Sequence, residues 1–471
     1  MPSWSELELL WSDWLFLSLL AALVGYVLYV RRRRHLREPW ANVARSRLGM
    51  MGAVVLSAYL AIGCLDSVHF RPSADAGTDA PGSPGELYSL FDLLAAPLRQ
   101  GTEKTYSPPL AAYQYSREFV DRPGGGQDYV YPRLRHGGAH LEFPERERWP
   151  DILATGGRGL LQGLLCWLAL SALLIAWQAR RAGQGFAARF AVIVRGRGPV
   201  PWRTILLTAG ALLLLAFLGA ALGAKYHPLG TDKVGEDVLY QALKSIRTGL
   251  LIGTATTLIM LPFALILGVA AGYFRGWIDD IVQYLYITLA SIPGVLLIAS
   301  AILMAQVYMQ AHADQFASAA QRADLRLLLV CLILGVTSWT SLCRLLRGEA
   351  LKLREIEFVQ AAQAFGVGHF AILARHILPN VMHIVLILLV LDFSALVLAE
   401  AVLSYVNIGV DPGTESWGNM INRARLELAR EPVVWWSLAA AFAFMLGLVL
   451  AANLFADAVR DAFDPRLRGG E

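Results

Sequence analysis

Two carboxylates in this 471-residue chain stand where an acid is expensive. Asp392 and Glu400 share one apolar run, two helical turns apart on a similar face, and His383 lies near the start of that run. An acid at the centre of a membrane helix costs about 2.5–3.5 kcal/mol on insertion scales, so it normally faces a water-filled path or a polar partner. Asp392 is therefore a candidate for contact with a translocated solute. Glu400 reads better as a structural group, and a hydrogen bond between helices is the alternative for both. Pro293, inside another apolar run, is expected to shape a path rather than bind anything. The sequence contains no G-x-x-x-x-G-K-[ST], H-E-x-x-H or G-x-S-x-G pattern. Its cysteines, Cys64, Cys166, Cys331 and Cys343, fall in or at the ends of apolar runs without the spacing of a metal site. No catalytic residue and no metal ligand is assigned, and the chain is not expected to hydrolyse ATP itself.

The elements that must position these groups are membrane helices. The chain is 56% hydrophobic and only 17% charged. The excess lies in separate apolar runs of about 20 residues, the length that crosses a hydrocarbon core. The reading is an all-α polytopic bundle with nine spans, near residues 14–30, 48–65, 159–177, 204–224, 246–272, 281–308, 325–345, 381–406 and 433–455. Pro293 should kink the sixth. The N-terminus lacks the basic start and cleavage site of a signal peptide, so it is expected to be retained. Arg31, Arg32, Arg33, Arg34 and Arg37 follow the first span, and Arg180, Arg181, Arg189, Arg195, Arg197 and Arg203 follow the third with no acid among them. The positive-inside rule makes both loops cytoplasmic, which puts the N-terminus outside and the C-terminus in the cytoplasm.

Residues 66–158 form an outer insert rich in Pro, Gly, Tyr and charge. Within it, 85–101 is a candidate amphipathic helix and 120–138 reads as turns and strands. Two roles stay open, a docking surface for an external partner or a cap over the other outer loops. Residues 348–380, GEALKLREIEFVQAAQAFGVGHFAILARHILPN, are polar and lie between two spans on the cytoplasmic side. Apolar residues near a 3.6 period give a helix, Gly366 and Gly368 break it, and a second helix runs from His369 until Pro379 ends it.

That hairpin resembles the EAA loop of ABC-importer permeases. Gln360, Ala361, Ala362, Gly366, Leu378 and Pro379 match in order, with Gln360 where the pattern has Glu. HPLGTDKVGEDVL (227–239), AGYFRGWID (271–279), EAVLSYVNIGVDPGTESWGNM (400–420) and LFADAVRDAFDPRLR (454–468) are similar to segments of the dipeptide/oligopeptide/nickel permease subfamily, C-type subunit. Arg275 stands in place of one of that subfamily's glycines. The resemblance covers roughly 205–468, so residues 204–471 form the permease domain. It leaves 1–65, 66–158 and 159–203 as additions with three extra spans.

The resemblance implies the membrane-spanning subunit of an ATP-driven importer of di- or oligopeptides, or of similar small solutes, in the inner membrane. It implies a second related permease in a heterodimer, two cytoplasmic ABC ATPase subunits carrying ATP and Mg, and an extracytoplasmic solute-binding protein. The matched hairpin residues would couple to the ATPase. Asp392, Glu400 and Pro293 would line the substrate path. His227, Asp232, Trp417 and Gly418 would contact the binding protein, with packing inside the loops as the alternative. The rival readings are a secondary transporter relaying protons or ions through its intramembrane acids, and a membrane scaffold acting through its insert.

Overall fold

The computed structural model describes residues 6–71, 87–121, 127–312 and 319–463. In chain order the first elements are β1 (Glu6–Leu7), α1 (Trp11–Arg32), α2 (Arg34–Val43), α3 (Arg47–Asp66), β2 (His69–Arg71), β3 (Tyr88–Ser89), α4 (Leu90–Leu94), α5 (Ala96–Gln100), β4 (Glu118–Asp121) and β5 (Gln127–Val130). Then come α6 (Pro144–Ala182), α7 (Phe186–Val194), α8 (Trp202–Gly223), α9 (Val238–Phe274), α10 (Trp277–Ser291), α11 (Gly294–Ala311), α12 (Ala319–Ser338) and α13 (Thr340–Arg354). The last are α14 (Glu357–Ala364), α15 (His369–Ile372), a π-helical turn at Leu373–Ile377, α16 (Leu378–Tyr405), α17 (Trp417–Glu427) and α18 (Trp436–Phe463). Among the described residues nine helices are long and apolar enough to cross a membrane, the number expected. The chain is a helical multi-pass membrane protein.

One compact unit comprises Met1–Leu9, Ala44–Thr248 and Glu415–Ala451. Its main helix pair is α6 and α8, and glycine makes their approach possible. A Cβ on Gly159 would stand 2.7 Å from the Ala221 methyl, and one on Gly163 would stand 3.1 Å from the Phe217 Cβ. Small residues four apart let helix backbones approach closely in a bilayer. Trp167 lies over Gly210 and donates its indole N–H to the Leu206 carbonyl at 2.7 Å. The insert sits in this unit. Ser89 and Asp92 cap α4 reciprocally. Pro97 lies in the first turn of the next helix. Of the candidate amphipathic helix at 85–101, the described residues 87–101 are a short strand and two short helices, not one helix. Antiparallel β1, β2 and β3 form a small sheet, and β4 pairs antiparallel with β5, from Glu118 opposite Val130 to Asp121 opposite Gln127. That hairpin agrees with the strand signal in 120–138.

The third span begins earlier than the hydropathy implied. Residues 144–158, assigned to the insert, are the opening turns of α6. Asp151 holds them, accepting from Lys225 Nζ at 3.0 Å and from the Tyr226 hydroxyl at 2.8 Å. These contacts are polar, so no apolar window reports them.

The other unit comprises Leu10–Val43, Gly249–Thr414 and Ala452–Glu471. Here α1 is tied to α12 by the Ser12 amide, which donates to Asp324 Oδ2 at 3.1 Å. Trp40 of α2 stacks on Phe455 and meets Phe463 edge-on. The central joint is α9 against α13. A Cβ on Gly268 would lie 2.7 Å from the Cys343 carbonyl oxygen, and one on Gly272 would lie 2.6 Å from the Ala350 methyl. The buried cluster around this joint takes Met260, Ala264, Val269 and Tyr273 from α9, Val282 and Tyr286 from α10, and Leu342, Cys343 and Leu346 from α13.

Two expectations about proline are corrected. The sixth span is broken, not kinked. Ile292 is extended at φ −88°, ψ 130°, and α11 starts afresh after Pro293. The residue before a proline is pushed out of the helical region, and proline itself offers no donor. Pro379, in turn, does not end the hairpin. It occupies the first turn of α16, where a missing N–H costs nothing. The backbone runs on from α15 through the π-helical turn into that span.

The glycine joint gives a prediction. Gly272→Ala overpacks α9 on α13 and should cost about 1–3 kcal/mol, read as a lower unfolding temperature in detergent. Gly294→Ala, where an added Cβ meets nothing within 4 Å, is the control. Equal shifts for the two variants would contradict the tight joint.

Candidate functional site

The polar hairpin has a buried root and a bare tip. Val359, Ile372, Ile377 and Val381 are fully buried in the same cluster as the α9–α13 joint, and Ala362 and Leu378 pack against it. Polar bonds fix the root further. The Tyr273 hydroxyl lies 2.8 Å from His369 Nδ1 and 3.4 Å from Gln363 Nε2, while its carbonyl accepts from Arg354 Nη1 at 2.8 Å. Arg347 of α13 grips Asp279 of α10 through Nε at 2.5 Å and Nη2 at 2.7 Å. That forked pair holds the Asp279 carboxyl below its ordinary range. The AGYFRG segment and the hairpin thus share one anchorage, centred on Tyr273.

The turn itself is a Schellman motif. Gly366 has φ +74°, its N–H donates to the Gln363 carbonyl at 3.0 Å, and the Val367 N–H reaches back to Ala362 at 3.0 Å. A Cβ on Gly366 or Gly368 would meet nothing within 4 Å. Gly366 is thus required for its backbone conformation, and the space over both glycines is open. Phe365 and Phe370 flank that space at 88% and 83% exposure. Sequence reasoning passed over both, although two phenylalanines around a Gly-x-Gly turn in a polar loop were a visible signal.

Gln360 and Ala361 are exposed beside the tip, as is Pro379. Gln360 Nε2 donates to the Glu355 carbonyl at 3.2 Å, closing the loop that opens α14. A glutamate there has no hydrogen to donate, so the amide performs a local role the acid cannot. Arg275 is held at φ +60°, a conformation that favours glycine, and its guanidinium pairs with Glu355 at 2.5 Å.

The intramembrane groups separate by their surroundings. Glu400 is buried and accepts from the Ser404 hydroxyl at 2.6 Å. Asp392 is half-buried and has no hydrogen bond or ion pair among the described residues. Pro293 is exposed at the break between α10 and α11. The His383 side chain lies outside the described residues, as does the end of the C-terminal motif at 464–468.

His227, Asp232, Trp417 and Gly418 are all buried, so their contacts are with this chain. His227 Nδ1 lies 2.8 Å from Asp237 Oδ2, and its Nε2 lies 3.5 Å from Glu103 Oε1. Asp232 Oδ1 accepts from the amides of Val234 and Glu236 at 3.0 and 2.9 Å, and Oδ2 accepts from Gln241 Nε2 at 3.0 Å. The Trp417 indole donates to the Ala242 carbonyl at 3.0 Å. The insert supplies Glu103, which also accepts from the amides of Arg135, His136 and Gly137 at 2.8, 2.8 and 2.9 Å. Further bonds run from Leu110 N to the His227 carbonyl and from Ser107 N to Thr231 Oγ1. The insert therefore covers the loop 225–241, and Glu103 was invisible in the sequence because nothing in its neighbourhood marks it.

Residues 264–469 match the family described as binding-protein-dependent transport system inner membrane component. The chain is 30% identical over 242 residues to the glutathione transport system permease protein of Pectobacterium atrosepticum, covering 51% of this chain and 73% of that protein. It is 30% identical to an oligopeptide transport system permease protein of Mycobacterium tuberculosis, covering 51% and 77%. A putative peptide permease protein of Brucella suis is 31% identical, covering 51% and 73%.

The buried triad generates a pH prediction. Burial lowers the His227 pKa, but the bonds to Asp237 and Glu103 outweigh it and raise the value to about 9. Burial raises Glu103, but His227 and the three amides outweigh it and hold it at about 2. The histidine contribution is complete below its unfolded value, about 6.5, and is lost as pH rises through about 9. The glutamate contribution is complete above its unfolded value, about 4.5, and is lost as pH falls toward about 2. Amide exchange in 101–114 and 133–138 should thus be slowest between pH 4.5 and about 6.5, after correction for intrinsic rates. Glu103→Gln should remove the acid limb and speed exchange throughout. A flat profile in the wild-type chain would refute the triad.

Proposed function

This chain belongs to the family of binding-protein-dependent transport system inner membrane components, and we propose that it is the subunit through which an ATP-driven importer passes peptides or peptide-like solutes. The observation that carries the reading is the hairpin, a rigid buried root bearing an exposed apolar tip. Phe365 and Phe370 give a cytoplasmic ATPase something to grip, and the Schellman turn fixes their separation. Buried aromatic anchors carry most of the energy of such interfaces. Gln360, Ala361 and Gly366 border the grip, while Ala362, Leu378 and Pro379 join it to the packed root and to α16. ATP and Mg act on the partner subunits, and this chain supplies the mechanical link.

The orientation proposed for the assembly follows the arginine-rich loops, with the hairpin and C-terminus in the cytoplasm and the N-terminus outside. A second related permease completes the path. Asp392, without a partner of its own among the described residues, and the exposed break at Pro293 are its candidates in this chain. A peptide amino terminus is a natural counter-charge for Asp392. Glu400 holds helix structure beside them. His227, Asp232, Trp417 and Gly418 act on a solute-binding protein indirectly, by fixing the loops it meets. The relatives named for glutathione, oligopeptide and peptide transport support this solute class.

The test is the double variant Phe365→Asp/Phe370→Asp in the assembled transporter. The ATPase subunits should no longer co-purify, with affinity reduced about thirtyfold or more on the scale of lost hot-spot anchors. Uptake of labelled di- and tripeptides should stop while the permease still inserts. Lys352→Ala, an exposed site on α13, should leave both intact. Persistent ATPase binding and uptake in the double variant would falsify the coupling role. Uptake that survives in vesicles lacking the ATPase would favour a secondary transporter.

A further inference from the structure

The added N-terminal region holds a cleft that the transport reading does not use. It has a volume of about 490 Å³ and ten lining residues, four of them arginine and none acidic. Arg45 and Arg47 come from the turn that opens α3, and Arg195 and Arg203 from the α7–α8 connection. Among the described residues the guanidinium groups of Arg47, Arg195 and Arg203 make no ion pair. Four like charges drawn from two distant segments repel one another, and the fold collects them in a cleft whose lining holds no acid.

Two further features act in the same direction. Helices α3, of 20 residues, and α8, of 22, both begin at the cleft. Each helix start contributes partial positive charge and unsatisfied N–H groups. Beside the cleft, α7 exposes Phe186, Phe190 and Val194, spaced four apart on one face. These apolar side chains are available to the acyl region at a membrane–water interface. Leu207, one turn into a membrane-length helix, completes the lining.

We propose that this cleft binds the phosphate of an anionic phospholipid, with its acyl chains running along α8. The ligand chemistry is a phosphodiester anion, since guanidinium forks match phosphate oxygens in pairs. A lipid is favoured over a soluble phosphate because the cleft stands at the mouths of two membrane helices and next to an apolar interfacial face. Basic pockets between membrane helices take acidic headgroups in this way.

The experiment uses the full chain in nanodiscs of phosphatidylcholine with or without phosphatidylglycerol. Retained phosphatidylglycerol is counted by native mass spectrometry, and thermal unfolding is followed in parallel. Wild type should retain the lipid and unfold at a higher temperature with it. Arg47→Gln/Arg195→Gln/Arg203→Gln should bind about a hundredfold more weakly, the scale of three lost surface charges. A triple Gln variant at Arg31, Arg32 and Arg33 should behave as wild type. Equal losses in the two triple variants would mean general charge attraction and overturn the cleft. Glycerol 1-phosphate protecting the chain in phosphatidylcholine as well as the lipid does would also overturn it, in favour of a soluble anion. Should the glutamine variant not insert, the corresponding triple lysine variant keeps the charge and loses the fork. Undiminished retention there overturns the guanidinium site.

Discussion

The transport reading rests mechanically on the close approach of α9 and α13 at Gly268 and Gly272. In hydrocarbon there is no hydrophobic drive to hold two apolar helices together, so contact must come from packing and polar bonds. The two glycines remove the side chains that would keep the backbones apart, bringing the Cys343 carbonyl and Ala350 against α9. Tyr273 follows Gly272 directly and reaches His369 and Gln363 of the hairpin. A displacement of the tip therefore cannot be absorbed between root and span. It must pass into α9 and α13 as a unit, which is what a mechanical link to an ATPase requires.

The same joint bears on two places where the chain departs from the motifs it resembles. Arg275 sits in a left-handed conformation that costs an ordinary residue about 1–2 kcal/mol relative to glycine. Its exposed pair with Glu355 recovers at most about 1 kcal/mol. The turn tolerates this because Tyr273, Arg354 and the Arg347–Asp279 fork already hold it from both sides. Gln360 shows the converse. There the departure adds a bond, since only the amide can donate to the Glu355 carbonyl.

Much of this was legible in the sequence, for a physical reason. Membrane spans announce themselves by apolar length, and the hairpin by polarity between spans, because both are local properties. The errors came where one local feature had two structural outcomes. Pro293 broke a span that was expected to bend. Pro379, taken as a stop, fits the first turn of α16 equally well, and the π-helical turn before it lets the backbone run on. Residues 144–158 looked like insert because Asp151, Lys225 and Tyr226 hold them by polar contacts. The tip was missed through attention to the small residues of the motif, when the exposed groups are Phe365 and Phe370.

What no local pattern could reveal is the pairing of distant segments, and the insert is the clearest case. Of the two roles left open for it, the contacts favour the cap. Glu103 closes on His227, Tyr106 donates to Glu427 at 2.9 Å, and the Tyr115 ring meets Trp436 edge-on at 5.0 Å. These contacts reach the α8–α9 loop, the end of α17 and the start of α18. A docking surface needs exposed groups with unsatisfied contacts, whereas these residues spend theirs internally. Glu103, Tyr106 and Tyr115, one acid and two aromatics of the insert, are groups that bind it to its own protein.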